Sequence, residues 1–153
     1  MSRRKREVEP AVERSRPMTP EERLVSRIMR EYTAAFEGAS EWAARVAGAR
    51  GIMSGGAIAY EMDWSANAYR DAARASVCQE ILTAMWHRID TDTPLTTEKL
   101  RQEAYERVSR GARYPSRSTS VPSNLMAEER LSAWAEILEW ADESLMAIKE
   151  VSQ

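Results

Sequence analysis

Residues 57–89 contain no proline and no glycine, and this run constrains the fold more than any other stretch of the chain. Eight alanines, among them 57, 59, 66, 68, 72, 73 and 75, and two tryptophans lie within it. Alanine favours helix and lets partner helices approach closely. The spacing predicts one long helix or two abutting ones. The apolar stripe changes face along it. Ile58, Met62, Ala66, Tyr69, Ala73 and Val77 follow one another three or four apart, one face of a 3.6-residue helix. Cys78, Ile81, Leu82, Met85, Trp86 and Ile89 cluster on another. Such a helix either breaks midway or is buried by different neighbours at its two ends. It is expected to be the core element on which the others pack.

Three further helical patterns surround it. Thr19-Pro20-Glu21-Glu22 is a helix start, with Thr19 as cap, Pro20 in the first turn and Glu22 closing a capping box. The helix that follows, near 20–47, is expected to bury Leu24, Ile28, Tyr32, Ala35, Ala39, Trp42 and Val46. Gly38 suggests an interruption, with Ser40 capping a second segment. A third helix, near 97–110, has Thr96 or Thr97 as cap and Leu100, Ala104 and Val108 as its buried stripe, and Gly111 suits its end. The last helix, near 124–150, has Ser123 or Asn124 as cap. Its seam is Leu131, Trp134, Leu138, Ala141, Leu145 and Ile148. Ile137 and Trp140 lie beside that seam, which implies a wide buried face or an exposed anchor for another subunit. Trp134 and Trp140 are therefore the candidate partner-interface residues.

No alternating run of β-branched residues is present. The expected fold is all-α: a compact bundle of four main helices as one domain over 19–153, preceded by a disordered basic arm over 1–18. A chain of 153 residues is long enough for a hydrophobic core. The single cysteine, Cys78, excludes an intramolecular disulfide and fits a reducing, cytoplasmic compartment. No apolar run approaches the roughly 20 residues of a membrane span, so no membrane partner is expected. The basic N-terminus lacks the apolar core of a secretory signal.

Charge is distributed unevenly. The net charge of −2 does not by itself imply nucleic acid. Residues 1–17, with Arg3-Arg4-Lys5-Arg6, carry a net +3, and 107–127 carry four arginines and no acid. Residues 128–150 carry a net −5. The bases are nearly all arginine, which grips phosphate bidentately and stacks on bases; codon usage in a GC-rich genome produces the same bias. Two sets stand out as candidate nucleic-acid ligands. Arg23, Arg27 and Arg30 form a ridge on the first helix. Arg107, Arg110, Arg113, Tyr114 and Arg117 lie at the end of the third helix and in the Ser/Pro/Arg loop 112–124. Arg113, Tyr114 and Arg117 resemble the cation-plus-aromatic mixture that single-stranded nucleic acid favours. A solvated helix face and a plain linker have the same look.

Catalytic chemistry finds little footing. One histidine and one cysteine cannot make a Cys/His metal set, and no nucleophile elbow occurs. The strongest acid–base pair is Glu80 with His87, two turns apart on one face near Ser76 and Thr83, the pattern of a solvated stripe. Glu136, Glu139 and Glu143 read as solvated acids. The 48–56 connector lacks the ending of a phosphate-binding loop. Residues 90–94 form a turn without the ligands of a calcium loop. No cofactor, no metal and no catalytic residue is assigned.

A small, wholly helical chain with an Arg23/Arg27/Arg30 ridge, an Arg110/Arg113/Arg117 segment and no catalytic set resembles the small subunit of CRISPR effector complexes. The resemblance is architectural and spans the helical body, without a signature motif. It implies a non-enzymatic subunit that stacks within a nucleoprotein assembly and contacts nucleic acid, single-stranded or RNA-containing, without reading its sequence. Met18-Thr19-Pro20-Glu21-Glu22 also resembles the opening of small terminase subunits, although no helix-turn-helix pattern follows. The alternative is a protein-interaction or oligomerisation module, of the kind phages encode, with no nucleic-acid role.

Overall fold

The fold was obtained as a computed structural model that describes residues 16–49, 55–87, 95–115 and 118–153, with 49, 55–62, 86 and 87 described by backbone alone. Among these residues there are four helices and no strand: α1 (Pro20–Ala49), α2 (Gly55–His87), α3 (Thr97–Arg113) and α4 (Val121–Val151). The Arg3–Arg6 cluster, the 90–94 turn and Arg117 lie outside the described residues.

The starts of α1, α3 and α4 are fixed by local hydrogen bonds. At α1, Glu22 N–H donates to Thr19 Oγ1 at 3.2 Å, and Thr19 N–H donates to Glu22 Oε2 at 2.8 Å, a reciprocal capping box. Arg16 then clasps Glu22 with two bonds of 3.1 and 2.5 Å. This exposed contact holds the Glu22 carboxyl below its ordinary range, through the Arg16 hydrogen bond first. Thr96 caps α3 by accepting from Lys99 N–H at 3.3 Å. The cap of α4 is Ser120, not Ser123 or Asn124 as expected. Pro122 fits the first turn, where no intrahelical donor is needed, so the helix starts earlier.

Two glycines expected to break helices do not. α1 runs unbroken through Gly38, and Ser40, expected as a cap, instead donates its hydroxyl to Phe36 C=O at 3.0 Å. α3 continues two residues past Gly111 to Arg113. Both glycines are points of close approach. A Cβ on Gly38 would meet the Asp71 carboxylate of α2, and one on Gly111 would lie 2.5 Å from Leu131 Cδ1 of α4. The absence of a side chain brings each pair of helices together.

α2 is continuous and packs on both α1 and α4. α1 packs along it, α3 packs mainly on α4, and α4 touches all three other helices. Ile28 of α1, Val77 and Cys78 of α2, Leu100 of α3 and Ile137 of α4 are the largest fully buried side chains, so every helix contributes to one core. Burial of this kind stabilises by about 1.5–3 kcal/mol per large aliphatic side chain. In α1, Leu24, Ile28 and Ala35 are buried as the spacing predicts. On α2, Tyr69 is an exception, 40% exposed although on the expected stripe. On α4 the buried face is wide: Ala133, Trp134, Ile137, Trp140, Ala141 and Ser144 are all buried. Ile137, expected beside the seam, is more deeply buried than Leu138 within it.

A polar cluster locks α1, α2 and α4 together, and it changes the reading of Glu136. Arg74 of α2 has a side chain only 15% exposed. Its Nη1 bonds Glu31 of α1 at 3.1 Å and Glu136 of α4 at 2.5 Å, and its Nη2 reaches Glu136 at 3.2 Å. Its Nε bonds Glu129 at 3.0 Å, with Nη2 2.9 Å from the same carboxylate. The planar fork thus serves three carboxylates. The Glu136 and Glu129 hydrogen bonds raise the Arg74 pKa against the opposing effect of burial. Asp71, one turn earlier, is pushed up by burial and by the Glu129 charge. Cys78, one turn later, is pushed up to about 11 by burial, with the Glu31 charge adding to it. Glu143, also expected to be simply solvated, pairs with Arg27 at 2.9 Å.

Candidate nucleic-acid interface

The expected arginines fall into two patches on opposite flanks of α4. On the α1 side, Arg27 lays its guanidinium over the Trp140 ring, 4.4 Å from the centroid, while bonding Glu143. Arg23 donates to Met18 C=O at 2.8 Å. Arg30 is exposed and has no carboxylate partner among the described residues. The three line a groove of about 580 Å³ with Trp140 and Ser144. The Ser144 hydroxyl is buried there and finds no hydrogen-bond partner among the described residues.

On the α3 side, Arg107 lies over the Trp134 ring at 5.1 Å and pairs weakly with Glu103, one turn back, at 3.4 Å. Arg110 and Arg113 occupy the last turn of α3, where cations favour the negative end of the helix dipole. Both are exposed and have no carboxylate partner among the described residues. Tyr114 follows as the C-cap, its backbone N–H donating to Arg110 C=O at 2.9 Å and its side chain pointing outward, 77% exposed. Arg107, Arg110 and Tyr114 border a groove of about 640 Å³ against the first turns of α4, with Leu131 and Trp134 beneath.

An acidic ridge divides the two patches. Asp142 turns toward α3 and bonds Arg101 at 2.7 Å, while its neighbour Glu143 turns toward α1. At 100° per residue, Glu128, Ser132, Ala135, Glu139, Met146 and Glu150 fall on the side between them, and all six are exposed. A phosphate backbone crossing from Arg30 to Arg110 would pass over Glu139 and its neighbours. The seven of the eight expected residues that are described therefore do not form one surface. The α3 patch stands alone as a candidate site.

Trp134 and Trp140, expected as partner anchors, are only 4% and 9% exposed. Each is packed in the core and roofed by an arginine from a flanking helix. Neither presents an aromatic face outward. The Glu80 stripe also has a structural occupation: Arg130 of α4 donates to Ser76 Oγ at 2.8 Å and to Glu80 at 2.6 Å. The His87 side chain lies outside the described residues. No group of three or more His, Cys, Asp or Glu side chains among the described residues could hold a metal ion. No helix among them is long and apolar enough to cross a membrane.

Sequence reasoning missed Arg74. The available signal is a lone cation inside the alanine run Ala72-Ala73-Arg74-Ala75. Comparison of the chain with known protein families, with curated proteins and with solved structures finds no match.

Proposed function

We propose that the chain is a non-enzymatic helical subunit of a nucleoprotein assembly, a role of the kind that CRISPR effector small subunits play. It holds nucleic-acid backbone at the α3–α4 corner without reading sequence. One observation carries this reading. Most of the arginines named above are engaged by acids, rings or backbone of their own chain, whereas Arg110 and Arg113, which like Arg30 are exposed with no carboxylate partner among the described residues, stand beside an outward-pointing tyrosine. Guanidinium groups on phosphates with an aromatic ring beside them are the chemistry of backbone-tracking sites.

A second reading, a protein-interaction module, has its own support. Met29 and Phe36 lie seven residues apart on one side of α1 and are 46% and 56% exposed, with Phe36 stacked on Tyr32 at 6.0 Å. This stripe, rather than Trp134 or Trp140, is the surface that would pack on another subunit. Light scattering with and without a labelled single-stranded oligonucleotide, at low and high salt, separates the readings. A salt-sensitive complex supports the nucleoprotein subunit. A defined oligomer that ignores the oligonucleotide supports the interaction module.

A further inference from the structure

We propose that the groove between the end of α3 and the start of α4 accepts one unpaired nucleobase, so that the protein selects single strands over duplex. This deepens the backbone-binding reading above and rests on it.

The groove separates charge in the way a nucleotide does. Arg107 and Arg110 stand on its rim with Tyr114, and Arg113 follows one helical turn from Arg110. Its lining also includes apolar side chains: Ala127, Leu131, Pro115 and Trp134. The one acid on its wall is Glu128. A carboxylate there disfavours a phosphate within the groove and leaves the interior to the uncharged base, with phosphates held at the rim. A volume of about 640 Å³ is ample for a base and its sugar.

The wall also explains indifference to sequence. Asn124 borders the groove, but its amide already holds the loop: Oδ1 accepts from Ser118 N–H at 3.0 Å and Nδ2 donates to Ser118 C=O at 2.8 Å. Arg130 borders it too, but reaches away to Ser76 and Glu80. The Asn124 amide and the Arg130 guanidinium are thus engaged elsewhere, and stacking on Tyr114 is the contact that every base can make, since every base has a face to stack. Bases in a duplex are already paired and stacked, and extruding one costs a few kcal/mol. A duplex can offer this site only its phosphates.

The test is fluorescence anisotropy at low salt with three probes: a thymidine homopolymer of about twenty nucleotides, an abasic strand of equal length and charge, and a duplex of equal length. The intact strand is expected to bind about tenfold more tightly than either of the others. Tyr114→Ala should reduce it to the level of the abasic strand, and Tyr114→Phe should retain the preference. Tyr114 is too exposed for either change to disturb the core. Equal binding of intact and abasic strands would overturn the base site while leaving backbone binding in place. A preference that survives Tyr114→Ala would do the same. Failure of all three probes to bind would remove both proposals.

Discussion

Replacing Arg74 with methionine should cost about 2–3 kcal/mol. The change keeps an unbranched side chain but leaves Glu31, Glu129 and Glu136 facing one another without a cation. Breaking a well-buried ion pair costs about 3–5 kcal/mol, chiefly because a charge is left unpaired. Here the guanidinium side chain is 15% exposed, but the carboxylates are 23%, 32% and 41% exposed, and water screens part of the repulsion. That discount gives the lower figure. For a chain of this length it corresponds to a fall in Tm of about 5–10 °C. Circular dichroism during heating, with urea titration as a cross-check, reads it directly. Adding Glu129→Gln and Glu136→Gln to the variant should recover much of the loss, because the penalty is unpaired charge rather than lost packing. A Tm within about 2 °C of the parent would show that the cluster does not lock α1, α2 and α4. An unrecovered loss in the triple variant would assign the effect to packing.

Gly111→Ala should destabilise despite the roughly 1 kcal/mol gain in helix propensity, because overpacking against Leu131 costs about 1–3 kcal/mol. In a Leu131→Ala background the same change should stabilise, and a stabilising effect in the native background would contradict close packing at that point. Asp71 has a folded pKa above its ordinary 3.8, so its ionisation opposes folding. That opposition is absent below 3.8, grows as pH rises toward the folded value and is complete above it. Asp71→Asn should therefore raise Tm at neutral pH and leave it unchanged near pH 3, and the reverse pattern would refute the assignment. Cys78 is 1% exposed with its thiol pushed up to about 11, so a disulfide reagent at pH 8 should label it only in denaturant. Immediate labelling of the native protein would show that the core is open at α2.

The elements with strong local signals were legible in the sequence. Thr19-Pro20-Glu21-Glu22 specifies its helix start through bonds made within four residues, and the apolar spacing of α1 and α3 names their buried faces. The errors share one cause. Gly38 and Gly111 look like helix breakers, and only the position of a second helix reveals that each is a point of contact. Ser120, Ser123 and Asn124 are all sound caps by type, and the choice among them depends on where Pro122 falls in the first turn. Arg74 carries no local sign that carboxylates from two other helices converge on it. The same holds for the candidate site. Eight residues of suitable type were legible, but the acidic ridge that separates Arg23, Arg27 and Arg30 from Arg107, Arg110, Arg113 and Tyr114 exists only once α4 lies between α1 and α3.

The α3–α4 corner as a phosphate-binding site is tested most directly by the salt dependence of oligonucleotide binding. The affinity of the native chain and of an Arg110→Ala/Arg113→Ala variant for one single-stranded oligonucleotide would be measured across a range of salt concentrations. Each arginine–phosphate contact contributes about 0.7 to the slope of log affinity against log salt for a single strand. The variant should bind more weakly and show a slope shallower by about 1.4, with helical content unchanged. Identical slopes, or no binding by the native chain at low salt, would contradict the account.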